Sequence, residues 1–339
     1  MGIERSMKEV QIIGTQRSGS NLLRLMLNQL AGVFAPHPPH IMRTFYPLLK
    51  NYGDFGVDNH FMTLVDDVCR LVELNPVPWE PLRTDRNLIF EKCKNRSLTE
   101  VFRNIHEVNA QAKGSNCWFN KSMQNVKYLD CFNKLGFNPK LIYLYRDGRD
   151  VALSFKNAIV GPKHIYSLAK KWTNEQEMSL SYVRQFGEEH AIMLSYESLL
   201  LQPEMEINRL CDFLGLEYNR DVVEFYDSSE SIRTADSGRM WSNLKKPIIR
   251  GNFGKYKKGL TAWEIEVFEQ IAGETLVKLG YALSTNYEEK KYEFTKEDIE
   301  TFASQDAELV KEAIERADPE DLFKRKRQEQ FIESVKKRW

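Results

Sequence analysis

Apolar residues come in two alternating patterns along this chain: short unbroken runs, and recurrences at helical spacing. Val10–Ile13 is a compact run of buried-strand length that leads into Gly14. Leu22, Leu23, Met26, Leu27 and Leu30 then return on one face of a helix predicted over Asn21–Leu30. A second short strand in "AGVF" runs into a loop rich in proline and aromatic residues, "APHPPHIMRTFYPLL". Helical spacing resumes over His60–Leu74 and Leu98–Ala112. The intervening "NPVPWEPLR" holds three prolines, too many for regular structure. Cys117–Asn120, Lys140–Tyr145 and Ala191–Ser195 read as further strands. Ile165–Phe186 and Pro203–Leu214 read as helices, the latter starting on proline. Thr261 and Glu264 have capping-box spacing at the start of another helix, with Leu260 and Ile265 placed as its hydrophobic staple. Strands alternating with helices predict an α/β fold with a mainly parallel central sheet flanked by helices. From about Tyr287 the pattern becomes highly charged and helical, with starts at Thr295/Asp298 and at Asp318–Pro319. The chain therefore divides into a domain over 1–285 and a charged helical C-terminal extension over 286–339.

Composition narrows the classes. Of 339 residues 42% are apolar, enough for a sizeable core. Lys+Arg and Asp+Glu both number 48, so the net charge is zero and bulk electrostatics gives no case for a nucleic acid partner. Five cysteines without a CxxC pair read as reduced thiols, neither a disulfide frame nor a metal site. "MGIERSMKEV" lacks the apolar core of a secretion signal, and no apolar run reaches the roughly 18 residues of a membrane span. These features predict a cytoplasmic protein. The basic end "KRKR…VKKRW" is interleaved with acids; helical packing back on the domain is its simplest reading, and pairing as a homodimer is the alternative.

The chemistry starts at "GTQRSGSN". Gly14 and Gly19 stand five apart, as in a phosphate-binding loop between a strand and a helix, so the fold is P-loop-like. Ser20 occupies the place of the lysine that a nucleotide triphosphatase needs, and Arg17 sits inside the loop. Unpaired N–H groups at the helix start, with Ser18, Gly19, Ser20 and Asn21 around them, make an anion seat suited to less than a triphosphate. Arg17 adds a permanent forked charge. A second strand-to-helix junction, "LIYLYRDGRDVALSF", carries Arg146 at the strand end and Ser154 eight residues later, able to converge on a second phosphate. A solvated charge cluster of Arg146, Asp147, Arg149 and Asp150 is the plainer alternative.

These two motifs resemble those of the sulfotransferases that use 3′-phosphoadenosine-5′-phosphosulfate (PAPS). "FNKSMQNVKYLDCF", "LSYESLLLQPEMEINRLCDFLGL" and "GKYKKGLTAWEIEVFEQIAGETLVKLGY" are similar to three further segments of that family in the same order, from about Val10 to Tyr281. Gln16 stands where the family usually has proline, and Asn21 where Thr or Trp is common. The resemblance implies a sulfotransferase domain and transfer of a sulfuryl group to a hydroxyl or amine. Arg17, Ser18, Gly19, Ser20 and Asn21 would hold the 5′ end, and Arg146 and Ser154 the 3′-phosphate. Tyr196 would lie on the adenosine, Lys255 and Lys257 would close over the cofactor, and Lys121 would meet the bridging oxygen. The product would be adenosine 3′,5′-bisphosphate (PAP), and no metal is required. His37 and His40 in "APHPPHI" are the candidate bases, His37 lying nearest the position where protein-sulfating relatives carry glutamate. His60, His106 and His164 read as structural. The acceptor stays open among small-molecule, lipid and carbohydrate classes. A P-loop small-molecule kinase is the rival reading; it requires a lysine at position 20 and magnesium.

Overall fold

The computed structural model describes residues 7–286, 289 and 291–338. The expectations for residues 1–6, for the change of composition at Tyr287 and for Trp339 fall outside the described residues. Five strands, β1 (Lys8–Gly14), β2 (Val33–Phe34), β3 (Cys117–Asn120), β4 (Lys140–Tyr145) and β5 (Ala191–Ser195), form one sheet in the order β2-β3-β1-β4-β5. Every pairing is parallel; Ile12 lies opposite Ile142, and Val10 opposite Phe119.

The apolar runs explain the layers. Successive side chains of a strand face opposite ways, so Val10 and Ile12 enter one core while Ile13 enters the other. Ile142 and Leu144 separate from Leu141 and Tyr143 in the same manner. On the first face lie α1 (Ser20–Leu27) and the helix Pro203–Leu214. On the second lie α2 (Asp58–Glu73), α3 (Leu98–Ala112), α4 (Gly148–Lys156), α5 (Ile165–Phe186) and α6 (Ala262–Lys278). A sheet covered on both faces needs near-continuous apolar strands; β4 has one after Lys140, while β1 buries Gln11 among Val10, Ile12 and Ile13.

The chain leaves β1 toward one edge of the sheet and leaves β4 toward the other. The loops after these neighbouring strands therefore splay and open a crevice at their carboxyl ends, where ligands of open α/β sheets bind. Both predicted phosphate motifs stand at that point.

The predicted caps form. Thr261 and Glu264 close a reciprocal capping box on α6, and Thr295 with Asp298 does the same on α7 (Lys296–Glu315). α8 (Pro319–Lys337) begins with Asp318 as cap and proline in its first turn. α7 packs on α5 and α8 on α2. Val335 is fully buried, and Arg338 grips Asp67 through two hydrogen bonds of 2.7 and 2.9 Å. The five cysteines are free thiols, and among the described residues no helix is long and apolar enough to cross a membrane.

Candidate active site

A cavity of about 1000 Å³ opens at the ends of β1, β3 and β4. The loop after β1 is shaped by two unusual backbone positions. Arg17 has φ 73° and Gly19 φ 89°, both in the left-handed region that a residue with a Cβ rarely adopts. A Cβ on Gly19 would lie 2.3 Å from the Tyr196 ring, so glycine is required there for conformation and for space. Gly19 also caps α1 without a side-chain acceptor for the first N–H groups, leaving those of Ser20, Asn21 and Leu22 at the cavity wall. Among the described residues, Arg17 and His40 (φ 62°) are the non-glycine residues with positive φ, and both line this cavity. Strain of this kind gathers where a site fixes the backbone.

The two arginine motifs meet. Arg146 Nη1 donates to the Arg17 carbonyl (3.2 Å), and Arg17 Nε donates to Ser154 Oγ (3.1 Å). Asp147 caps α4 by accepting from Arg149 N–H (3.0 Å), which sets the helix that carries Ser154. Arg146 lies over the Tyr196 ring at 4.5 Å, and its Nη2 donates to the Asn252 carbonyl (3.0 Å). Its buried Nε has no partner. Asp150, 3.6 Å from Arg146, accepts from the N–H groups of Gly254 (2.6 Å) and Tyr256 (2.9 Å), and so ties the segment ahead of α6 to the cavity. Asn252 in that segment donates to the Tyr196 hydroxyl and accepts from Lys255 Nζ.

Lys121 follows the last residue of β3. Asn120 Oδ1 fixes the turn by accepting from Ser122 N–H (2.9 Å) and Asn125 Nδ2 (3.2 Å). Lys121 is buried at 9% exposure, and among the described residues its ammonium has no hydrogen-bond acceptor. Burial, followed by the charges of Arg24, Arg17 and Arg325, holds it well below the ordinary lysine range. Burial and then the Arg146 charge draw the Arg17 guanidinium down to about 10. This end of the cavity gathers several basic side chains, of which Lys121 has no ion-pair partner among the described residues.

His37 is buried, and its ring is oriented. Asn75 Nδ2 and Trp79 Nε1 both donate to the His37 carbonyl at 2.7 Å. That leaves Asn75 Oδ1 facing His37 Nδ1 at 3.2 Å, so Nδ1 carries the proton and Nε2 keeps its lone pair. Nε2 is buried and unpartnered. Burial and the charges of Lys121 and Arg24 hold His37 well below its usual range. Burial and the charges of Lys121, Arg43 and Arg325 push His40 down to about 3. Both imidazoles are neutral near neutral pH.

Arg17, Gly19, Ser20, Asn21, His37, His40, Lys121, Arg146, Ser154, Tyr196 and Lys255 all line the one cavity. Two sequence candidates do not. Ser18 is fully buried away from the lining, with its hydroxyl unpartnered. Lys257 is exposed outside it: the segment Tyr256–Gly259 is helical, and residues two apart point to different sides of a helix. Sequence reasoning missed Asn252, whose amide has no motif to mark it. It also missed Arg24, fully buried behind the loop and held by Glu230, Thr234 and Ala35. Arg325 of α8 was missed because its segment "KRKRQEQ" lies beyond the family-like region and reads most simply as packing back on the domain.

A family model described as "Sulfotransferase family" matches residues 9–220, which include both arginine motifs. The chain belongs to the sulfotransferase family. A protein-tyrosine sulfotransferase of Drosophila melanogaster is 22% identical over 252 residues, 72% of this chain and 46% of that protein. The chain spans about half the length of the curated relatives it matches. Two solved sulfotransferase domains share the fold. One, from the Synechococcus PCC 7002 olefin synthase, is 19% identical with a TM-score of 0.53, covering 80% of this chain and 97% of that one. The other, from the curacin biosynthetic pathway, is 20% identical with a TM-score of 0.55, covering 83% and 100%. The kinase reading is not favoured: its lysine is absent at position 20, and the matched family is the sulfotransferases.

Proposed function

We propose that this sulfotransferase moves the sulfuryl group of PAPS to a hydroxyl or amine of an acceptor by in-line displacement. The observation that carries the reading is the junction of Arg146, the Arg17 carbonyl and Ser154 at one cavity. Two anion-binding loops that touch in this way suit one ligand with two separate anionic ends. The fit is supported by the partnerless Arg146 Nε, by the Lys121 ammonium without an acceptor, and by the open N–H groups at the start of α1. Bound there, PAPS supplies a sulfuryl group that is already activated, so no metal is invoked.

Within this reading the α1 N–H groups, Ser20, Asn21 and Arg17 hold the 5′ end. Arg146 and Ser154 hold the 3′-phosphate with Lys255, and Tyr196 covers the adenosine. Lys121, protonated once the nucleotide is bound, neutralises charge on the leaving oxygen; a charge held in a dry cavity is worth far more than one in water. His37 Nε2 takes the acceptor proton, with Asn75 fixing the tautomer, and His40 is the second imidazole within the cavity. Ser18 and Lys257 act through the loop and through the closing segment instead of by contact. We read 286–339 as an extension of the 1–285 sulfotransferase domain.

Nucleotide titration of the full chain tests this. PAP is expected to bind without magnesium and to displace ATP. ATP binding that magnesium tightens and PAP leaves unchanged would overturn the reading.

A further inference from the structure

The C-terminal extension contributes a wall of the active cavity. Arg325, Gln328 and Ile332 of α8 line it alongside the short 3-10 helix Arg239–Lys245 that holds Met240 and Trp241. Arg325 lies over the Trp241 ring at 5.0 Å, and His37 meets the same indole edge-on at 5.1 Å. The next residue back, Met240, accepts from Arg17 Nη1 at 3.3 Å. One short segment therefore touches the phosphate loop through Met240, and both the candidate base and Arg325 through Trp241.

Arg325 is short of partners. Its Nε and Nη2 are buried without hydrogen-bond partners, and among the described residues no carboxylate lies within ion-pair distance of it. Asp321, one turn earlier, is occupied by the Arg239 N–H, which it binds through both oxygens at 3.1 and 2.9 Å. Burial lowers the guanidinium from its usual range, with the charges of Asp321 and Glu329 opposing the shift, and its own charge is felt at Lys121, Arg17 and His40. Buried guanidinium donors left unmatched are costly, and a charged partner is what relieves them. The cofactor reading already uses Arg17, Lys121 and Arg146; Arg325 is left over, and it contacts the same indole as the His37 imidazole.

We propose that Arg325 is an acceptor-binding residue and that the acceptor is an organic acid. Its hydroxyl or amine reaches His37 while its carboxylate docks in the Arg325 fork, and the body between them lies along Trp241. A single planar guanidinium matches a carboxylate through two parallel hydrogen bonds. The inference rests on the sulfotransferase reading of the same cavity and adds the charge class of the acceptor. It also gives α8 a role in choosing substrate.

The test uses the full chain saturated with PAP, titrated calorimetrically with para-hydroxyphenylpropionate and hydroxydodecanoate, each against its primary amide. At least one carboxylate is expected to bind about tenfold or more tightly than its amide, and Arg325→Gln is expected to erase that preference in a variant that still binds PAP. Arg325→Lys, which keeps the charge but loses the fork, is expected to restore part of it. No preference for the carboxylate in the wild type, or a preference that survives Arg325→Gln, overturns the proposal. Failure of PAP itself to bind condemns the sulfotransferase reading, so the two failures are separate.

Discussion

Lys121 and His37 are set by the same physics and pulled to the same result. A buried ammonium with no acceptor and three cationic neighbours is disfavoured, so its pKa falls. A bound phosphate reverses this: the ligand's negative charge raises Lys121 back toward its ordinary range. Between the lowered free value and the raised bound value the protein takes up a proton on binding, and affinity for PAP falls as pH rises through that window. Titrations across a pH series in buffers of different ionisation enthalpy are expected to show proton uptake on binding within that window. Lys121→Met is expected to abolish it. His37 is neutral for a related reason, which suits a base and disfavours any role as a charge on the cofactor. His37→Ala is expected to slow turnover by roughly 10²–10⁴-fold with PAP affinity near wild type; full turnover would pass the role to His40.

At the scale of elements, the site depends on how β1 hands over to α1. The left-handed turn at Arg17 and Gly19 aims the first N–H groups of α1 into the cavity, and Tyr196 packs on the bare Gly19 backbone. Gly19→Ala combines a backbone cost of about 1–2 kcal/mol for a left-handed residue with a collision against an aromatic ring. It is expected to lower the melting temperature and to weaken PAP binding in the same variant. A substitution that leaves both unchanged would show the turn to be incidental. The helix starts behaved differently in the sequence. Thr261/Glu264, Thr295/Asp298 and Asp318–Pro319 could be read directly because capping chemistry is local to four residues.

Across the whole molecule, what was legible followed range of interaction. The strands β3, β4 and β5 and the helices α3 and α5 coincide with their predicted spans, because each has a compact apolar run or a clean helical stripe. Gly14–Asn21 and Arg146–Ser154 could be nominated because each motif lies within one strand–helix junction. Their meeting could not be deduced from local pattern; it follows from the sheet order, which makes β1 and β4 neighbours. Asn252 and Arg325 were opaque for the same reason: each enters the cavity from a segment distant in sequence, with no local motif that marks it for a ligand. The central claim is that the Arg146 end of the cavity recognises a phosphate separate from the one at the Arg17 loop. Its most direct test is calorimetric binding of PAP and of adenosine 5′-monophosphate to the wild type and to Arg146→Ala. The account predicts that the wild type favours PAP, and that Arg146→Ala removes about 1.5–3 kcal/mol of PAP binding while the affinity for the monophosphate stays near wild type. Equal affinities in the wild type, or an equal loss for both nucleotides in the variant, would contradict it.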